Sequence, residues 1–179
     1  MNLQELLNKW SIKCDVNTVL AMWNESHRHF HNLNHLNDLI TQINENKKNF
    51  TEKEYDKLML TALFHESIDF KDKQKSAQFF IDCCLEKSNK DILDIKQMIL
   101  DTQSYKPTTK LSEHFCKFDL SIAERNFEQL LEWENLLFQE QISDKNYKSN
   151  RIVFLESVMN RYPQNTENLL KLIDFVKSK

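Results

Sequence analysis

Not one of the 179 residues is glycine, and proline occurs only at Pro107 and Pro163. Glycine takes left-handed backbone angles without steric cost and lets the backbone come close to a phosphate. A P-loop, a dinucleotide-binding G-x-G-x-x-G turn and a G-x-S-x-G nucleophile elbow all depend on it. None of them exists here in standard form. Tight β-hairpins lose their preferred turn residue too. Asparagine is plentiful and takes over helix ends and turns. Any phosphate chemistry in this chain has to use side chains or a metal.

Hydrophobic spacing predicts helix after helix. Residues 2–10 form a short amphipathic piece. Asp15 or Asn17 starts a helix through Trp23, and another runs from Leu33 to about Asn44. "TEKEYDKLMLTALFHE" opens with Thr51 and Glu54 in capping-box spacing, and Tyr55, Leu58, Met59, Ala62 and Leu63 then share a face. Further helices are expected over 73–87, around Ile92–Ile99, over 122–142, 149–161 and 165–177, the last with Asn165 as a cap. Residues 103–118, which include Pro107, read as the least regular connection. No repeat, low-complexity tract or linker interrupts the pattern. The reading is one all-α domain over 1–179, a helical bundle.

Hydrophobic residues make up 40% and charged residues 28% of the chain, as in a globular protein. The net charge is −3 with no long basic run, which argues against a nucleic-acid duplex as partner. No apolar stretch approaches the ~20 residues that cross a bilayer, and "MNLQELLNKW" lacks the apolar core of a secretory signal. A cytoplasmic location is expected, with no membrane partner. Cys14, Cys83, Cys84 and Cys116 make no C-x-x-C pair, and reduced thiols are expected.

Two segments stand apart. "FHNLNHLND", Phe30 to Asp38, puts His31 and His35 four residues apart at a helix start, where one helix face can hold both. "ALFHESIDF" ends an apolar run in His65, Glu66 and Asp69. Buried charges are costly unless paired or bound to a metal. "KFDLSIA" sets Asp119 among apolar residues. With His35 these groups supply two imidazoles and two carboxylates, which suit manganese, iron, cobalt or zinc. Simpler readings exist for each. His31 and His35 could belong to an exposed helix start, His65 and Glu66 to a helix end at the surface, and Asp119 to the cap of the next helix. His27, His29 and His114 read as surface residues.

In order and spacing these motifs resemble the HD superfamily of metal-dependent phosphohydrolases. "RHFHNLNHLNDL" is similar to the Y-H-N-x-x-H-x-x-D-[VL] motif of cyclic nucleotide phosphodiesterases, with Phe30 in the tyrosine place. It is closer to a small bacterial branch that reads R-H-Y-H-N-L-x-H, F-H-D-x-x-Y-D, a serine–alanine pair and D-x-D-L. Here Arg28–His35, "FHESIDF", Ser76–Ala77 and "KFDL" stand in that order, and "NYKSNR" is similar to a later Y-x-x-G-R. The resemblance covers about residues 20–160. It implies an HD-type helical fold with His35, His65, Glu66 and Asp119 as metal ligands. It implies His31 as the general acid, and a small phosphorylated ligand as partner. Arg28 is the candidate phosphate contact, and Asp38 and Asp69 are candidates for supporting the ligands from behind.

The chain departs from the branch at three places. Glu66 replaces the defining aspartate, "KDKQKSA" replaces a segment containing N-E-E, and Tyr105 falls where a histidine is usual. Two functions follow as expectations. One is a metal-dependent phosphohydrolase acting on a nucleotide or other small phosphoester. The other is a degenerate HD domain that binds nucleotide, metal or a protein partner without turnover.

Overall fold

The computed structural model describes residues 2–179, and the expected all-α class is what it shows. Its helices are α1 (Leu3–Lys9), α2 (Val16–Trp23), α3 (Leu33–Glu45), α4 (Glu52–Phe64), α5 (Lys73–Cys83), α6 (Lys90–Asp101), α7 (Lys110–Asp119), α8 (Phe127–Glu140), α9 (Tyr147–Arg161) and α10 (Thr166–Ser178). Packing divides the chain into two compact units, Met1–Asp119 and Leu120–Lys179. Among the described residues, no helix is long and apolar enough to cross a membrane. Among the described residues, Cys14, Cys83, Cys84 and Cys116 form no disulfide.

Asparagine and aspartate do much of the work that glycine leaves undone. The side chains of Asn2, Asp15, Asn32, Asp72, Asn89 and Asn126 each accept from a backbone N–H in the first turn of α1, α2, α3, α5, α6 and α8. Thr51 and Glu54 form the expected capping box of α4. Among the described residues only Ser11 (φ 53°) and Tyr105 (φ 51°) have positive φ. A non-glycine residue there carries a steric cost of roughly 1–2 kcal/mol.

The first unit is built around α4. Every residue from Tyr55 to Phe64 is buried, so the one-faced helix read from the sequence is wrapped on all sides. It packs against α1, α2, α3, α5, α6 and α7. Leu58, Leu60, Leu63, Phe64, Trp23, Leu36, Leu39, Phe80, Ile95 and Phe115 fill the core around it. Because α4 is central, the residues that follow it, His65 and Glu66, are delivered into the interior rather than to the surface.

The stretch 103–118 is less irregular than expected. Residues 110–119 are the helix α7, with Thr109 Oγ1 accepting from the Ser112 N–H at 3.1 Å. Asp119 is therefore the last residue of a helix, not the cap of the next one. The connection into α7 is held by the buried Asp101. Its Oδ2 accepts from Thr108 N–H (2.8 Å), Thr108 Oγ1 (2.8 Å) and Ser112 Oγ (2.5 Å).

In the second unit, α10 packs on α8 and α9 over Leu130, Leu137, Leu155, Leu169, Leu172 and Val176. The helix expected from 122 begins at Phe127, after a 3₁₀ turn over Ser121–Glu124. Asn165 stands at the N-cap of α10, but its side chain makes no capping hydrogen bond to the backbone. Its amide donates to the carbonyls of Ile122 and Arg125. Tyr147 and Arg151 of "NYKSNR" both serve Glu134, which is buried. The hydroxyl donates to Oε1 at 2.5 Å, and the guanidinium donates to Oε2 at 2.8 Å.

Candidate metal centre

His35, His65, Glu66 and Asp119 meet inside the first unit. The two carboxylates come from the ends of helices, and His35 comes from the first turn of α3. Asn32 caps that turn by accepting from Asn34 N–H at 2.8 Å, and its amide donates to His29 O at 2.6 Å. This sets the helix start so that His35 turns inward, its side chain 9% exposed. The side chains of His65, Glu66 and Asp119 are 0%, 3% and 2% exposed.

Four distances describe the cluster. His35 Nε2 lies 3.2 Å from Asp119 Oδ1 and 3.6 Å from Glu66 Oε2. His65 Nε2 lies 3.5 Å from Asp119 Oδ1 and 3.6 Å from Glu66 Oε2. His35 Nε2, His65 Nε2 and Glu66 Oε2 are buried without a hydrogen-bond partner. His35 Nε2 has Asp119 Oδ1 within ion-pair range, whereas His65 Nε2 and Glu66 Oε2, left unsatisfied side by side, each carry a desolvation cost. An ion bound at ~2.1 Å holds tetrahedral ligand atoms ~3.4 Å apart, and the four distances bracket that spacing. His35, His65 and Glu66 could therefore hold a metal ion, their ligand atoms lying within 4.8 Å of one another. Asp119 Oδ1 adjoins both imidazole nitrogens.

His65 Nδ1 faces the Ala62 carbonyl at 3.0 Å, and a carbonyl can only accept. Nδ1 thus carries the hydrogen, and in the neutral ring the Nε2 lone pair points into the cluster. Tyr105 donates its hydroxyl to Asp119 Oδ2 at 3.1 Å. Burial and the nearby charges of Asp119 and Glu66 hold that phenol well above its usual pKa, so it stays a donor. Burial pushes the carboxyls of Asp119 and Glu66 up, but the groups packed around them, imidazoles for both and the Lys73 ammonium for Glu66, outweigh it and hold both below the carboxylate range. For His35, burial disfavours the charged ring, yet Asp119 and Glu66 prevail and raise its pKa.

Three expected residues have partners of their own. Arg28 is buried, and four of its five N–H groups are engaged. They donate to Glu25 Oε2 (3.2 Å) and to the carbonyls of His31 (3.2 Å), Glu66 (2.8 Å) and Ser67 (3.1 Å). The guanidinium clasps the His31 loop onto the turn carrying Glu66. Asp69 does not stand behind the ligands. Its Oδ1 accepts from the N–H groups of Lys71 and Asp72, and its Oδ2 from Lys75 Nζ. Asp38 accepts from Gln42 Nε2 at 2.9 Å, and the same amide donates to Phe118 O, which braces α3 against α7. Ser76, of the serine–alanine pair, accepts from the N–H groups of Ile68 and Asp69 and ties the turn after Glu66 to α5.

His31 lies beside the cluster. Its Nε2 is 3.8 Å from Glu66 Oε1, and its side chain is 14% exposed. The ring stacks on Phe70 (4.6 Å, 7°) and meets Phe30 edge-on (4.9 Å). Behind the cluster, Trp23 packs against His65 and His35 and donates to Leu63 O at 2.8 Å.

Lys73 was not among the residues singled out from the sequence. Its ammonium, 5% exposed, makes a very short ion pair with Glu66 Oε1. Nothing in "KDKQKSA" separates it from its two neighbouring lysines, because its partner is set by the docking of α5 on the turn after α4. No protein-family model, no curated protein and no solved structure matches the chain.

Proposed function

We propose that this chain belongs to the HD lineage and is a metal-dependent phosphohydrolase acting on a nucleotide or another small phosphoester. One observation carries the reading. Three buried ligand atoms without hydrogen-bond partners, His35 Nε2, His65 Nε2 and Glu66 Oε2, converge at the spacing of a coordination shell, with Asp119 Oδ1 beside them. Two imidazoles and two carboxylates suit a divalent manganese, iron, cobalt or zinc ion.

The chemistry such an ion supplies is Lewis acidity, which polarises a phosphoryl oxygen and acidifies water. The protein's own groups do the rest. Ala62 O and Tyr105 fix the orientation of His65 and Asp119. His31 is the most accessible imidazole of the group, and Phe30 and Phe70 hold its ring in place. It is the imidazole placed to hand a proton to a leaving oxygen.

Lys73 favours a second reading, metal or nucleotide binding without turnover. Its ammonium neutralises part of the charge that would draw an ion into the site. Metal analysis of protein purified without chelator, followed by a phosphoester screen with manganese, cobalt and zinc, separates the two. Bound metal with turnover that falls in His31→Ala, metal content unchanged, supports the hydrolase. Bound metal without turnover on any phosphoester supports the second reading.

A further inference from the structure

The Glu66 carboxylate is divided between two tasks. Oε2 faces His35 Nε2 and His65 Nε2, both at 3.6 Å, and has no hydrogen-bond partner. Oε1 is held by the Lys73 ammonium. That lysine is in a costly place. Its side chain is 5% exposed, and burial disfavours an ammonium. It is also the first residue of α5, directly after the Asp72 cap, where the helix dipole repels a cation. Its backbone N–H is tied to Gln103 Oε1 at 2.9 Å, so the position is fixed from both sides. The Glu66 carboxylate is the partner that makes a buried cation tolerable there.

We propose that Lys73 is a built-in second cation that limits the centre to one divalent ion. A carboxylate joins two metal ions through its two oxygens, and here the second oxygen is already taken by an ammonium. The same charge, a few ångströms from the first ion, weakens that ion's binding. The inference rests on the metal-centre reading above. It adds that the number of ions and the affinity are both set by Lys73.

The test is equilibrium titration of the full chain with manganese, followed by electron paramagnetic resonance, for wild type, Lys73→Met and Lys73→Glu. Circular dichroism confirms that each variant is helical. Wild type is expected to take one equivalent. Lys73→Met, which keeps an unbranched side chain one atom shorter and without the charge, should take one equivalent at least about tenfold more tightly. Lys73→Glu, which adds a carboxylate, should take two. Two equivalents in wild type, or a folded Lys73→Met that binds no more tightly, overturns the role of Lys73 and leaves the metal centre standing. A folded Lys73→Glu that stays at one equivalent also overturns it. No binding by wild type or by either folded variant removes the metal centre, and the proposal with it.

Discussion

Replacing Arg28 by alanine should destabilise the first unit by about 3–4 kcal/mol. The guanidinium donates to the carbonyls of His31, Glu66 and Ser67, the last two in buried bonds of 2.8 and 3.1 Å. Hydrogen bonds from a charged donor contribute ~1.5–3 kcal/mol each, and buried carbonyls that lose their donor add a desolvation cost. Three such bonds sum to more than 4 kcal/mol, and water entering the space left by the side chain offsets part of it. For a chain of this length the loss corresponds to a fall in Tm of roughly 10 °C. Arg28→Lys should recover less than half, because one ammonium cannot reach three carbonyls in the plane of a fork. Urea unfolding followed by circular dichroism measures the difference. A change within ~1 kcal/mol of wild type would refute the clasp. Weaker binding of a phosphate ester by a fully stable Arg28→Ala protein would restore the role expected from the sequence.

Thr51→Ala should cost about 1 kcal/mol by opening the capping box of α4. Hydrogen bonds from the Thr51 backbone and hydroxyl hold the Glu54 carboxyl below its ordinary 4.5. The folded pKa is therefore the lower one, so the contribution is complete above the ordinary value and is lost as pH falls through the folded value. The stability gap between wild type and Thr51→Ala should shrink between pH 7 and pH 3, and an unchanged gap would count against the box. Asp101→Ala should cost about 3 kcal/mol, since one buried carboxylate oxygen satisfies Thr108 and Ser112 together. Faster hydrogen exchange confined to 102–112 would accompany it, and uniform exchange would show that Asp101 does not organise this connection.

The helix starts were readable because their signals are local. Thr51 and Glu54 are three residues apart, and Asn32 stands next to the helix it caps. The start of α7 had such a signal in Thr109, but Pro107 and the polar residues around it masked it until Asp101 was seen to organise the turn. The burial of His65 and Glu66 was legible for a different reason. Ionisable residues directly after an apolar run have to be accounted for wherever that run is buried, and α4 is buried on every side. For Arg28 and Asp69 the local sequence carries no such signal. A guanidinium near a histidine motif looks the same in sequence whether it faces a ligand or three backbone carbonyls. Asp69, three residues past Glu66, is carried away by the turn that it stabilises itself. Lys73 was illegible because its partner is fixed by how α5 docks, not by its neighbours in the chain.

The most direct test of the metal centre is titration with cobalt(II), read by visible absorption and calorimetry, on wild type, His65→Ala and His114→Ala. His65 contributes one of the orphaned nitrogens, whereas His114 packs edge-on against Phe50. Losing one ligand of four should weaken binding by about a hundredfold or more. The account predicts a saturable cobalt spectrum in wild type and His114→Ala, and its loss in a His65→Ala protein that remains helical. Equal cobalt affinity in wild type and His65→Ala, or no cobalt bound by the folded wild type, would contradict it.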